Sequence, residues 1–143
     1  MALDVGDRRI GIALSDEEAR VAFPKDTLHR RNLDADLLEI ASVAEREHVQ
    51  EILVGMPLSL DGSEGPQAKK VTRFIKSLKE RTALPITAWD ERLTTVSAQR
   101  ALLEGDVSRS RRRQVVDKMA AALLLQGYLD YRHHLEDSEP AGS

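Results

Sequence analysis

The order of the apolar segments along the chain constrains its fold more than any other feature of the sequence. Three extended segments come first. From residue 33 onward, stretches with the 3.6-residue repeat of an amphipathic helix alternate with short, almost continuously apolar runs. Such a run is typical of a strand that is buried on both faces of a sheet. The order therefore predicts an α/β domain with a mixed five-stranded sheet (β-β-β-α-β-α-β-α-α) and helices on both faces.

The element boundaries follow from apolar periodicity, prolines and capping residues. Pro24 in the third extended segment favours an edge position or a bulge. Thr94 or Thr95 is a suitable N-cap for a helix that Gly105 terminates. The polar, arginine-rich stretch 106–113 is interpreted as a loop. The predicted strands are 2–6, 10–15, 20–28, 51–55 and 86–89. Four helices are predicted: the first begins at Leu33, the second follows Pro66, the third runs from Thr94 or Thr95 to Leu103, and the fourth runs from about Gln114 to His133.

A single domain accounts for the length of the chain. Of its 143 residues, 41% are hydrophobic and 31% are charged, which is typical of a globular protein. We expect a domain over residues 1–135 and a disordered tail over 136–143. The absence of cysteine excludes disulfides and thiolate metal sites. The sequence shows neither a membrane span nor a signal peptide, so we expect a cytoplasmic location.

An aspartate, Asp4, lies in the middle of the first predicted strand, between Leu3 and Val5. Strands disfavour aspartate, and a buried carboxylate is costly unless something compensates its charge. The predicted topology brings two further acids toward Asp4, namely Glu91 after the fifth strand and Asp117 in the last helix. Three carboxylates provide the oxygen ligands that Mg²⁺ and Mn²⁺ prefer. Two such ions roughly 4 Å apart can stabilise the attacking and leaving oxygens of a phosphodiester.

The acids outside the first strand also have purely structural interpretations, whereas Asp4, in mid-strand, is the hardest to explain in that way. Asp90, which follows the fifth strand, can be a solvated loop residue or a helix cap, Glu91 can be a surface residue, and Asp117 can stabilise the start of a helix. Other chemistries have less support in the sequence. The four histidines lack zinc-ligand spacing, and neither a dinucleotide-binding glycine motif nor a P-loop occurs.

Four blocks of the sequence resemble the YqgF/RuvX family in order and spacing. These blocks are DVGDRRIGIALSD, ILVGMPLSLDGSEGPQA, DERLTT and the helix that carries DKMAA. The resemblance covers nearly the whole domain and implies an RNase H-like fold related to the RuvC Holliday junction resolvases. It also implies that Asp4, Glu91 and Asp117 are the acidic active-site positions. Asp7 departs from the family, which often carries a small hydroxyl residue there, and Asp90 could be a fourth acid of the site.

The resemblance implies a nuclease that requires Mg²⁺ or Mn²⁺. Asp4, Glu91 and Asp117 would be both its catalytic residues and its metal ligands. The family is described as maturing the 5′ end of precursor small-subunit ribosomal RNA and as resolving Holliday junctions. A resolvase of branched DNA, which normally needs a two-fold dimer, therefore remains an alternative, as does a nucleic-acid-binding module without turnover. The sequence does not indicate whether the protein forms a homodimer.

Clustered arginines are candidates for holding the phosphate backbone of a nucleic acid, although the net charge of the chain is −3. The alternative for each cluster is a solvated, charged surface. Aromatic residues make up only 3% of the chain, which argues against a platform for stacking bases and favours recognition of a structured RNA or a branched DNA by shape. The predicted nucleic-acid-binding residues are Arg8, Arg9, Arg92, Arg109, Arg111, Arg112 and Arg113.

Overall fold

A five-stranded sheet forms the centre of the molecule in a computed structural model, which describes the backbone of residues 1–93 and 109–138 and the side chains of residues 1–93 and 113–137. The elements are β1 (Ala2–Val5), β2 (Arg9–Ser15), β3 (Ala22–His29), α1 (Leu33–Arg46), β4 (Ile52–Met56), α2 (Pro66–Lys79), β5 (Ile86–Asp90), a 3₁₀ turn (Glu91–Leu93) and α3 (Arg109–Ser138). The strand order is β3-β2-β1-β4-β5.

The pairing confirms the predicted mixed sheet. β1, β2 and β3 form an antiparallel meander, whereas β4 pairs in parallel with both β1 and β5. β3, which contains Pro24, lies at the edge of the sheet, and its pairing with β2 is interrupted by a register shift between Ile12 and Ala13. Both features agree with the expectation that proline sits at an edge or a bulge.

The last helix differs from its prediction at both ends. α3 begins at Arg109 rather than near Gln114, so the segment interpreted as an arginine-rich loop is helical from that point, and it ends at Ser138, three residues into the predicted tail. Arginine is a favourable helix former, but arginines without apolar periodicity give no helical signal in the sequence. The helix predicted to end at Leu103 lies outside the described residues. Over residues 1–93 and 109–138, no helix is both long and apolar enough to cross a membrane.

Each face of the sheet has its own core. Leu3 and Val5 of β1 pack with α1 and α2 on one face, whereas Ala2 packs with α3 on the other. Small side chains dominate the α3 core, where Ala2 pairs with Ala13 across the sheet and Ala121 is fully buried. Because these side chains are short, α3 can approach the strands closely, and this approach positions the acid that α3 carries.

A buried ion pair fixes the start of α1. The Asp36 carboxylate is 1% exposed and accepts hydrogen bonds from Arg30 Nε at 3.1 Å and from the Arg31 backbone nitrogen at 3.0 Å. We expect Asp36→Asn to lower the free energy of unfolding by about 2 kcal/mol, because the neutral amide leaves Arg30 without its anionic partner. Urea unfolding measures the change. Asp34→Asn, which removes an exposed ion pair with Arg81 from the same helix, is the control and should change it by less than about 0.5 kcal/mol. Equal losses in the two variants would contradict the prediction.

Candidate active site

Asp4 lies on the α3 face of the sheet, near the carboxyl end of β1. Its neighbours Leu3 and Val5 belong to the opposite core, so strand alternation directs Asp4 toward α3. The residue is only 8% exposed. Carboxylates are rarely buried to this extent, and one that is must be stabilised by its surroundings.

Two glycines flank Asp4 in the sheet. Gly11 of β2 is its antiparallel partner. On the other side, the parallel register that pairs Leu3 with Val54 brings Gly55 of β4 next to Asp4. Neither glycine places a side chain on the α3 face, so the space on each side of Asp4 is open to other parts of the chain. Glycine inside a strand often marks such a close approach.

Asp117 of α3 occupies the space above Gly11. A Cβ atom on Gly11 would overlap the carbonyl carbon and oxygen of Asp117 and would lie 3.0 Å from the backbone nitrogen of Lys118. The helix backbone therefore rests directly on β2 at this point. Because Gly11 and Asp4 are cross-strand partners, this contact places Asp117 beside Asp4.

Glu91 occupies the space above Gly55. A Cβ atom on Gly55 would lie 2.7 Å from Glu91 Oε1 and 3.3 Å from Glu91 Cγ, and it would overlap Cδ1 of Leu124 from α3. Glu91 opens the 3₁₀ turn after β5, and its side chain reaches back over β4. Asp4 therefore has Asp117 on one side and Glu91 on the other, so the structure brings the three predicted acids to the same end of the sheet.

The Asp117 carboxylate is held by Arg9 of β2. Arg9 Nε donates to Asp117 Oδ2 at 2.5 Å, and the two side chains are only 23% and 14% exposed. Within the part of the chain that the structure describes, no three acidic, histidine or cysteine side chains are arranged to enclose a metal ion as they stand. A metal ion at this position would compete with the Arg9 guanidinium for the Asp117 carboxylate.

Asp90 and Arg92 bind each other rather than facing the other acids. Arg92 holds the pKa of Asp90 below its ordinary value, mainly through its side-chain hydrogen bond and to a smaller extent through a hydrogen bond from its backbone nitrogen. The same guanidinium donates to the carbonyl oxygens of Ser59 and Leu60 in the loop after β4. Arg92 thus ties the loop after β4 to the turn that contains Glu91, a role that the sequence did not indicate.

The remaining predicted residues belong to the β1–β2 turn and to the first turns of α3. Asp7 binds Lys70 of α2 at 3.2 Å, and both Arg8 in the β1–β2 turn and Arg113 on α3 are exposed. The first turns of α3, whose side chains lie outside the described part, contain Arg109, Arg111 and Arg112.

Sequence reasoning missed Gly11 and Gly55 as components of the site. Each interrupts an otherwise apolar strand, and that interruption is the signal that could have identified them. It also missed the pairing of Arg9 with Asp117, for which the sequence contains no local signal, since 108 positions separate the two residues.

Comparison with known proteins identifies close relatives over nearly the full chain. The family model described as "RuvX: Holliday junction resolvase" matches residues 1–131. A protein of Halothermothrix orenii named "Putative pre-16S rRNA nuclease" is 47% identical over 135 residues, which cover 94% of this chain and 96% of that protein. A protein of the same name from Moorella thermoacetica is 51% identical over 130 residues, 91% and 93% of the two chains.

Solved structures confirm the predicted RNase H-like fold. The structure titled "T. thermophilus RuvC in complex with Holliday junction substrate" superposes with a TM-score of 0.59 over 92% of each chain, and "Thermus thermophilus RuvC structure" with a TM-score of 0.57. The identities are 12% and 11%, so this likeness concerns the fold alone. The relatives and the family model extend over more than nine-tenths of the sequence, and the chain belongs to the RuvX family.

Proposed function

We propose that this protein is a divalent-metal-dependent endonuclease that hydrolyses phosphodiester bonds, with Asp4, Glu91 and Asp117 as its active-site acids. The observation that carries the proposal is the row formed by Gly11, Asp4 and Gly55, above which the other two acids converge. Relatives named as nucleases, at 47% and 51% identity, support the same activity.

The chemistry of these residues fits Mg²⁺ or Mn²⁺. The donor set consists of carboxylate oxygens, and the flanking glycines leave room beside Asp4 that a Cβ atom would fill. Such an ion, when bound, activates water and stabilises the departing 3′ oxygen. Asp4, Glu91 and Asp117 would hold it. Arg9, released from Asp117, would then be free to donate to a phosphate of the substrate.

Precursor small-subunit ribosomal RNA is the proposed substrate. Two relatives named "Putative pre-16S rRNA nuclease" are 47% and 51% identical to this chain, whereas the RuvC chain solved with a Holliday junction is 12% identical. A four-way DNA junction is the second candidate, because the family description names a Holliday junction resolvase. Branched DNA and the folded end of an RNA are both recognised largely by shape.

A cleavage assay with two substrates tests the proposal. The full chain is incubated with Mg²⁺ or Mn²⁺ and offered either a precursor RNA that spans the 5′ end of the small-subunit RNA or a four-way DNA junction. We expect cleavage of the RNA that chelation of the metal abolishes. Preferential cleavage of the junction would favour the resolvase, and binding of both substrates without any cleavage would favour a non-catalytic module.

Gly55→Ala should reduce activity more than stability. The added methyl group meets the side chains of Glu91 and of the buried Leu124 rather than backbone, so we expect the free energy of unfolding to fall by only about 1 kcal/mol. The displaced Glu91 carboxylate loses its position beside Asp4, and we expect the cleavage rate to fall by about tenfold to a hundredfold. Single-turnover cleavage and thermal unfolding of the same samples measure the two effects. A variant that is strongly destabilised yet cleaves at the parent rate would contradict the prediction.

Arg9→Gln should tighten metal binding. The Arg9 guanidinium competes with a metal ion for the Asp117 carboxylate, so its removal should lower the Mn²⁺ concentration for half-maximal thermal stabilisation by about threefold to tenfold, which corresponds to about 1 kcal/mol. Arg8→Gln is the matched control, since it removes the same charge from the adjacent, exposed position. Equal changes in the two variants would show that net charge, rather than the Arg9 contact, sets the affinity.

A further inference from the structure

A second recess lies on the opposite face of the sheet from Asp4. It is a cavity of about 410 Å³ between the start of α2 and the turn that follows β1, and we term it the α1–α2 cavity. Val5, which directly follows Asp4 in the chain, forms part of its wall. The cavity therefore begins one residue from the proposed catalytic acid, at the same end of the sheet.

The basic side chains of the cavity outnumber the acids that line it. Arg30, Lys70 and Arg73 line it, and Asp7 is the only acid among its lining residues. Lys70 and Arg73 lie three positions apart on α2, so they project from neighbouring points of one helix face. The contact between Asp7 and Lys70 joins two side chains that are both more than half exposed. Such a pair contributes little to stability and is easily exchanged for a stronger anion.

Arg30 is fixed in place before any ligand arrives. Its Nε donates to Asp36, its Nη1 donates to the Gly6 carbonyl at 3.0 Å, and its guanidinium stacks over the Phe74 ring at 5.5 Å from the centroid. A guanidinium has five N–H donors, and these two bonds leave others for a ligand in the cavity. A cation oriented in this way loses little freedom on binding phosphate.

Three apolar side chains form another part of the wall. Val5 and Phe74 are buried, and Leu33 is 42% exposed beside them. Gln67 of α2 donates to the Val5 carbonyl at 3.4 Å, which ties the helix to the end of β1. Cations next to an apolar surface, in a recess of this size, match a phosphate that is attached to a sugar and a base.

We propose that the α1–α2 cavity binds one nucleotide of the substrate strand that flanks the cleaved bond, with Arg30, Lys70 and Arg73 on its phosphate. The inference deepens the proposed nuclease function and rests on it for the identity of the strand. None of these three cations is among the seven arginines predicted to bind nucleic acid. The strand would pass over the β1–β2 turn, from the acids on one face to the cavity on the other.

RNA binding measured in the presence of a metal chelator tests this site separately from cleavage. The probe is a fluorescent RNA hairpin with a 5′ single-stranded extension, and a DNA of the same sequence serves as a second arm. We expect Lys70→Gln/Arg73→Gln to weaken binding of the RNA about tenfold and to reduce the salt dependence of log K by about 1 to 2. Lys76→Gln/Lys79→Gln removes the same charge from α2 outside the cavity and should weaken binding less than twofold. Equal losses in the two double variants would overturn the proposal.

A substitution that changes no charge tests whether the volume of the cavity, apart from its cations, contributes to RNA binding. Ser77 lines the cavity, and Ser77→Leu reduces its volume without changing any cation. We expect this variant to weaken RNA binding about fivefold with an unchanged salt slope, and unchanged affinity would overturn the nucleotide site. Binding is measured without metal and cleavage with it, so a parent protein that binds RNA through the cavity in the chelator but does not cleave it when Mn²⁺ is supplied would contradict the nuclease proposal and leave this site intact. Loss of DNA binding but not of RNA binding in the cavity variants would assign the site to a DNA strand and overturn its role toward RNA.

Discussion

Asp4→Asn is expected to reduce metal-dependent cleavage by at least about a thousandfold, which corresponds to about 4 kcal/mol of transition-state stabilisation. The substitution keeps the size and shape of the side chain but removes the charge that would attract a cation. Asp4 lies between the positions of Asp117 and Glu91, so loss of its charge affects the centre of the acidic group rather than its edge. Single-turnover cleavage of precursor RNA by both proteins measures the effect.

The same variant should leave the fold intact. In a chelator, one negative charge fewer among the three acids should raise the thermal midpoint by about 3 °C, equivalent to about 1 kcal/mol for a domain of this size. Addition of Mn²⁺ should stabilise the parent, by mass action on its native state, and not the variant. Asp26→Asn is the matched control, because Asp26 is an exposed aspartate in β3 of the same sheet. If Asp4→Asn cleaved as fast as this control, the assignment of Asp4 would be wrong.

The sequence predicts the part of this structure that depends on local periodicity. The alternation of Leu3, Asp4 and Val5 correctly places the carboxylate on the opposite face from its neighbours. The two apolar runs that become β4 and β5 show no such alternation, and both form parallel strands within the sheet. Every residue of β4 is buried, so its burial is recorded in the sequence itself. β5 lies at the edge of the sheet, and only its Trp89 is buried.

The position of α3 is less accessible to sequence reasoning. Its first turn contains arginines, which favour helix but also favour exposure, so no apolar stripe reveals where the helix starts. Its distance from the sheet depends on the small residues Ala2, Ala13 and Ala121. These residues form a close contact only after strand register is set, and register is a property of the whole sheet.

The site itself was predicted as a set of residue types but not as a geometry. Asp4 could be chosen because it interrupts an apolar strand, and Glu91 and Asp117 because the sequence places each near the end of a predicted element. Nothing local indicates that Gly11 and Gly55 make the space in which two of them lie, or that Arg9 binds Asp117. These are contacts between distant parts of the chain, and they follow from the tertiary packing rather than from any pattern within a segment.

Gly11→Ala should have the largest effect on stability, because the added methyl group meets backbone rather than side chain. Its Cβ atom would overlap the carbonyl group of Asp117 and approach the nitrogen of Lys118. One residue of a hydrogen-bonded helix cannot shift alone, so the whole of α3 must move away from β2. Its packing on Ala2 and Ala13 is then weakened. We expect the free energy of unfolding to fall by about 3 kcal/mol and the thermal midpoint to fall by about 10 °C.

Cleavage should fall in the same Gly11→Ala variant at temperatures where it remains folded, because displacement of α3 carries Asp117 away from Asp4. Gly65→Ala is the control, since a Cβ atom there would lie 3.5 Å from Ser59 Oγ, an ordinary contact. Circular dichroism melting and single-turnover cleavage on the same samples separate the two effects. If Gly11→Ala melted with the control and cleaved at its rate, α3 would not rest on β2 at this point, and Asp117 would not owe its place beside Asp4 to the absence of a side chain at residue 11.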